Sequence, residues 1–201
     1  MYSEGEKTEI NYLQGYLSDK YSGNLSVKFV DIQDIRENTA KSLVDRVVKE
    51  KKSRDKKLND IYWIAYDRES EAEYKEKLHH EAFKKAKDHD INIALSNICI
   101  EQWILLHYVK STAQYTSFKN LMDNSCLKEK LREQGVQDYD KGDIGLYEML
   151  KDKLDIARKN AIKVNSETKE LSNENAKPFQ LNPYTDFHLV LDAIDKFLTK
   201  E

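Results

Sequence analysis

The chain has 201 residues, of which 39% are hydrophobic and 34% charged, and its formal net charge is −3. That length suffices for one full-sized domain with a real core, and the composition fits a soluble, helix-rich protein. Net acidity removes overall basicity as a reason to bind nucleic acid, so any such contact must come from a local patch.

Met1 to Glu9 reads MYSEGEKTE. Gly5 permits a tight turn or a close backbone approach, and Ser3, Thr8 and the neighbouring acids favour a helix start. Ile10, Leu13 and Leu17 then share one face of a helix that should stop at Ser22-Gly23-Asn24. Leu25 to Ile32 alternates and is β-branched, which predicts a strand. Thr39 to Lys52 predicts a helix with Leu43, Val44, Val47 and Val48 inward. It runs into a basic stretch, Lys49 to Lys57. This is either a solvated helix end that complements the helix dipole or a patch that contacts phosphates, and with no aromatic residue interleaved it offers no base stacking.

Asp60 to Glu69 (DIYWIAYDRE) is an apolar, aromatic run that ends abruptly in charge. It reads as a buried parallel strand, the kind whose C-terminal end presents ligands and catalytic groups. Residues two apart share a face, so Asp67 and Glu69 would aim at one point if the extended geometry persists. Facing carboxylates repel unless one is protonated or a cation lies between them, and hard oxygen donors suit Mg²⁺ or Mn²⁺. The competing reading is a solvated turn, or the N-cap of a helix predicted over Ser70 to Asp88 with a capping-box spacing from Ser70 to Glu73. His79 and His80 point about 100° apart on such a helix, so they form no chelating pair and read, with His89, as polar helix surface.

Asp90 to Ser96 predicts another short strand. The alternation of strands and helices argues for an α/β sheet with parallel strands and right-handed crossovers, and no further strand is evident after Asn97. Ile98 to Val109 reads as a buried helix, too short and too interrupted by Glu101, Gln102 and His107 to span a bilayer. Glu101 is an acid in apolar surroundings and needs a partner: it is either paired structurally or part of the acidic site. Tyr115 to Arg132 and Asp143 to Val164 predict amphipathic helices, Ser166 to Lys177 a polar linker, and Thr185 to Leu198 a last helix after a turn at Asn182-Pro183. Cys99 and Cys126 form neither a metal-like pair nor a disulfide framework, and Cys99 reads as a buried free thiol in a reducing compartment. Without a charged-then-apolar leader, the expected location is the cytoplasm. Phosphate-cradling glycine loops, a Gly-x-Ser-x-Gly elbow, zinc spacing and internal repeats are all missing.

Several boxes, in order, resemble the RloB (AbiLii-like) family: Glu4-Gly5-Glu6-Lys7-Thr8-Glu9, Tyr66-Asp67-Arg68-Glu69, Ser96 to Tyr108, Tyr139-Asp140-Lys141-Gly142-Asp143, and Asn182 to His188. The resemblance implies a prokaryotic protein encoded beside an AAA-type ATPase in phage-defence or restriction loci. It also implies a Toprim-like parallel-sheet core flanked by helices, over residues 1–110, with a helical C-terminal half over residues 111–201 packed on it as one compact unit. On that pattern Glu4, Asp67 and Glu69 would hold Mg²⁺ or Mn²⁺ for phosphodiester hydrolysis of RNA or DNA, or Glu4 would act as general acid or base. Lys7 would offset transition-state charge, and Glu101 would help by hydrogen bonding to the ligands. The chain departs from the pattern in three places. Almost nothing of the hydrophobic first strand precedes Glu4, so the sheet is expected to lack its central strand if the start is complete. Glu69 replaces an aspartate. Ile98 and Ile100 replace a proline and a phenylalanine, which keeps burial but not the turn. The rival expectation is a non-catalytic subunit that docks on the ATPase, and primase-like nucleotidyl transfer is a third.

Overall fold

The computed structural model describes residues 1–4, 8–21, 30–32, 39–53, 60–69, 75–139, 141–142 and 145–198, with the backbone alone at residues 3–4 and 30–32. The architecture is mixed α/β and mostly helical. Strands β1 (Tyr2–Glu4), β2 (Val30–Ile32), β3 (Tyr62–Asp67), β4 (Ile91–Asn97) and β5 (Tyr184–Thr185) form one sheet in the order β2-β1-β3-β4-β5. All neighbours are parallel except β5, which runs antiparallel to β4.

Helices follow from the apolar spacing. Helix α1 (Thr8–Lys20) buries Ile10, Leu13 and Leu17, and α2 (Ala40–Ser53) buries Leu43, Val44, Val47 and Val48. Helix α3 (Glu76–Asp88) buries Ala82 and Ala86. The sheet separates two cores. Ile64, Tyr66 and Leu95 pack with α2 and α3, whereas Ala65 and Ala94 point the other way, into a larger core. That core holds α1, α4 (Glu101–Leu106), α5 (Phe118–Asn124), α6 (Leu127–Glu133), α7 (Leu146–Leu150), α8 (Leu154–Glu170) and α9 (Phe187–Leu198). The period-two alternation of β3 and β4 produces this division. Because α1 crosses one face and α2 and α3 the other, the chain reverses its winding between β1 and β3, where open α/β sheets form a ligand crevice.

Several expectations need correction. The sheet does not lack its central strand: Tyr2–Glu4 pairs on both sides, Tyr2 with Val30 and with Ile64. A strand does follow Asn97, since β5 pairs with the end of β4 and Asn165 fixes it from α8, its amide bonding Thr185 N and O at 3.1 and 2.9 Å. Helix α3 begins at Glu76 with Lys75 at the N-cap position and no side-chain cap; Ser70 and Glu73 lie outside the described residues. The helix predicted over Tyr115 to Arg132 is two, because Ser125 turns extended (ψ 171) and its hydroxyl accepts from Leu127 N. Helix α8 runs to Glu170 and so takes in the start of the expected linker. The turn before α4 forms with Ile98 in place of proline, Ile98 and Ile100 both being buried. His79 is buried, not surface: its ring stacks between Tyr66 and Phe179, with centroids at 5.7 and 5.6 Å. Of the predicted strand over Leu25 to Ile32, residues 25–29 lie outside the description, as do residues 54–57 of the basic stretch. Among the described residues no helix is long and apolar enough to cross a membrane.

Candidate functional site

Strand β3 forms because its aromatic and β-branched residues fit a two-sided, covered sheet, and it ends at Asp67 on the face of Ala65, toward the larger core. The backbone stays tied to β4 past that point, Arg68 N donating to Ser96 O at 2.8 Å and Glu69 N to Ile98 O at 3.0 Å. Glu69, however, takes a left-handed conformation (φ 56). The extended geometry therefore stops before it, and strand alternation does not aim Asp67 and Glu69 at one point. Arg68 is buried and spans to the C-terminal half, its Nε donating to Phe179 O at 3.0 Å.

The acids that bear most on Asp67 come from elsewhere. Burial raises its pKa well above the carboxylate range; the charge of Glu9 contributes next, then Glu101, with Lys141 opposing and Glu69 adding least. Glu9 is buried in the first turn of α1, and Glu101 is fully buried at the start of α4. Cys99, between β4 and α4, has its thiol pushed up by burial and by the charges of Glu101 and Asp67. Asp67 Oδ1 and Glu101 Oε2 are shielded from solvent without a hydrogen-bond partner. Glu101 Oε1 accepts from Tyr139 Oη at 3.1 Å. Burial and the Glu101 charge push the Tyr139 phenol far up, so it remains a donor.

A short loop brings Tyr139 and Lys141 here. Gly142, with φ 96, donates from its N–H to Thr8 Oγ1 at 2.9 Å, and its carbonyl accepts from Asn11 Nδ2 at 2.7 Å. The loop is thus fastened to the start of α1, the same turn that carries Glu9. Lys141 lies over the Phe118 ring at 4.9 Å, and Phe118 and Tyr139 pack at 6.5 Å.

Of the expected site residues, Asp67 and Glu101 meet in one electrostatic cluster, with Glu69 at its margin. Glu4 is the last residue of β1, on the strand beside β3; its side chain and all of Lys7 lie outside the described residues. Glu9, Tyr139 and Lys141 were not singled out by sequence, although each stands in a quoted box. Their signal was spacing: Glu9 falls in the first turn of the helix that follows Glu4, and Tyr139 and Lys141 stand just before Gly142 in a polar stretch. Among the described residues no three His, Cys, Asp or Glu side chains form a ready metal cage. Mg²⁺ does not demand one, because it is held through one or two carboxylates and keeps waters and substrate oxygens for the rest. Two shielded, unpartnered carboxylate oxygens amid mutually repelling acids fit that mode of binding.

Neither the curated proteins nor the solved structures include one that matches this chain. A family profile described as "RloB-like protein" matches residues 1–194, and with nearly the whole chain covered the protein belongs to the RloB-like family.

Proposed function

We propose that this protein is a divalent-metal-dependent nuclease on a Toprim-like core, hydrolysing phosphodiesters of RNA or DNA as the cytoplasmic effector of a phage-defence system with a partner AAA-type ATPase. The observation that carries the reading is the state of Asp67. Its carboxyl stands at the end of a parallel strand beside the winding reversal, is pushed up by burial, Glu9 and Glu101, and keeps Oδ1 unpartnered. Perturbed acids of this kind concentrate where chemistry is done.

Asp67 and Glu101 would hold Mg²⁺ or Mn²⁺ through Oδ1 and Oε2. Glu4, at the end of the adjacent strand, takes from the family resemblance the role of third ligand or of general acid and base. When bound, the ion supplies positive charge that lowers the pKa of a water nucleophile and steadies the leaving oxygen. Glu9 adds negative charge that raises affinity for the ion. Lys141, a cation facing the acids, would meet a non-bridging phosphate oxygen and offset charge as it builds. Asp67 Oδ1 and Glu101 Oε2 are shielded from solvent, so charges act there at low dielectric.

The test is cleavage of single- and double-stranded RNA and DNA by purified protein with Mg²⁺ or Mn²⁺, with and without the ATPase. Asp67→Ala should abolish cleavage while the circular dichroism spectrum stays unchanged. Metal-independent cutting, or none under any condition, would overturn the proposal. It would favour the second reading, a non-catalytic subunit docking on the ATPase, whose support is the left-handed turn that takes Glu69 out of the strand.

A further inference from the structure

Glu101 is 0% exposed, yet its two carboxylate oxygens differ. Oε1 accepts the Tyr139 hydroxyl at 3.1 Å, and Oε2 has no partner. The residues beside the phenol, in the chain and in space, are themselves held. Gly142 is bonded to Thr8 and Asn11 at 2.9 and 2.7 Å, Phe118 packs on the ring at 6.5 Å, and Lys141 caps Phe118. The donor is therefore set by the fold before any ligand arrives, and it joins the start of α4 to the start of α1.

Resting on the divalent-cation reading above, we propose that Tyr139 is a positioning residue that makes Glu101 a one-oxygen donor and so sets which cation the centre prefers. A carboxylate with one oxygen committed to a phenol meets a cation through the other alone. Mg²⁺ and Mn²⁺ accept such monodentate ligands in a compact octahedron. Ca²⁺ takes more oxygens at longer distance and gains from bidentate carboxylates. Removing the phenolic oxygen takes that donor away from Oε1 and opens the bidentate mode, which shifts preference toward the larger ion.

The experiment needs no substrate. Mn²⁺ binding to the full chain is followed by electron paramagnetic resonance, and Ca²⁺ binding by its displacement of Mn²⁺. In Tyr139→Phe the ratio of Ca²⁺ to Mn²⁺ affinity should rise about tenfold, the scale typical of losing a hydrogen bond to a metal ligand. Asn11→Ala, which loosens the loop and leaves the phenol in place, should move the ratio the same way by less. If wild type binds Mn²⁺ and the ratio is unchanged in both variants, the role of Tyr139 is overturned and the metal centre stands. If wild type binds neither ion, the centre itself is overturned and this inference falls with it. Should Tyr139→Phe fail to fold, an unchanged ratio in Asn11→Ala overturns the inference.

Discussion

Two partly buried acids in this molecule behave in opposite ways. Asp195, on α9, would be raised by burial, but it receives hydrogen bonds from Tyr16 and from Tyr21 (2.8 Å) and the guanidinium of Arg158 (2.9 Å), and these hold its pKa below the usual range. Asp67 meets acids where Asp195 meets donors, and its pKa goes up. Burial is common to both, and the partners decide the sign. A satisfied acid of the Asp195 kind ties α1, α8 and α9 together. An unsatisfied one costs stability, and under the proposed function a bound cation would recover that cost.

Breaking the satisfied side should have the largest effect. Asp195→Ala leaves the Arg158 guanidinium half-buried without its closest carboxylate, Asp192 being at 3.4 Å. We expect a loss of about 3 to 4 kcal/mol in denaturant unfolding; a change within error would mean that the network contributes nothing.

Next comes acid sensitivity. His107, buried between Tyr12 and the Trp103 carbonyl (2.9 and 3.0 Å), has its pKa lowered from 6.5 to about 4 by burial. Between those values the unfolded chain binds the proton and the folded chain does not. Stability from this group is therefore complete above pH 6.5, falls as pH drops toward 4, and levels off below. The span is on the order of 3 kcal/mol. Asp67 works against it: with its folded pKa raised, protonation relieves repulsion and restores stability as pH falls. Unfolding of Asp67→Asn should thus show a steeper acid loss than wild type, and parallel curves would contradict the raised pKa.

A smaller effect tests the joint between α1 and α7. A Cβ on Gly15 of α1 would meet Tyr147 Cβ at 2.7 Å. Gly15→Ala should cost about 2 kcal/mol through overpacking, despite its better helix propensity, and a gain in melting temperature would show that α7 yields easily.

The smallest effect is a gain. Asp67→Asn removes the uncompensated charge and should stabilise the metal-free protein by about 1 kcal/mol, seen as a higher melting temperature in chelator. A lower one would place Asp67 with Asp195, among the structural acids.

Much of the frame could be read from residue order. The aromatic run from Tyr62 to Asp67, the alternation after Asp90 and the apolar faces of α1 and α2 each repeat at the period of the element they form. Other features gave no local signal. His79 looks like helix surface until Phe179, a hundred residues on, closes over it. The two-residue β5 is too short for periodicity and exists because β4 and Asn165 supply its partners. Glu9 passes for an ordinary acid in a first helical turn, and only its proximity to Asp67 gives it another meaning.

The sequence by itself determined the strand–helix alternation, the carboxylate at the end of β3 and the family, because propensity, hydrophobic period and motif are properties of neighbouring residues. Which acids meet was decided only in three dimensions. Glu101 and Tyr139 join Asp67, and Glu69 turns aside, because a pair energy depends on distance and on the water excluded between the partners, and neither is written along the chain.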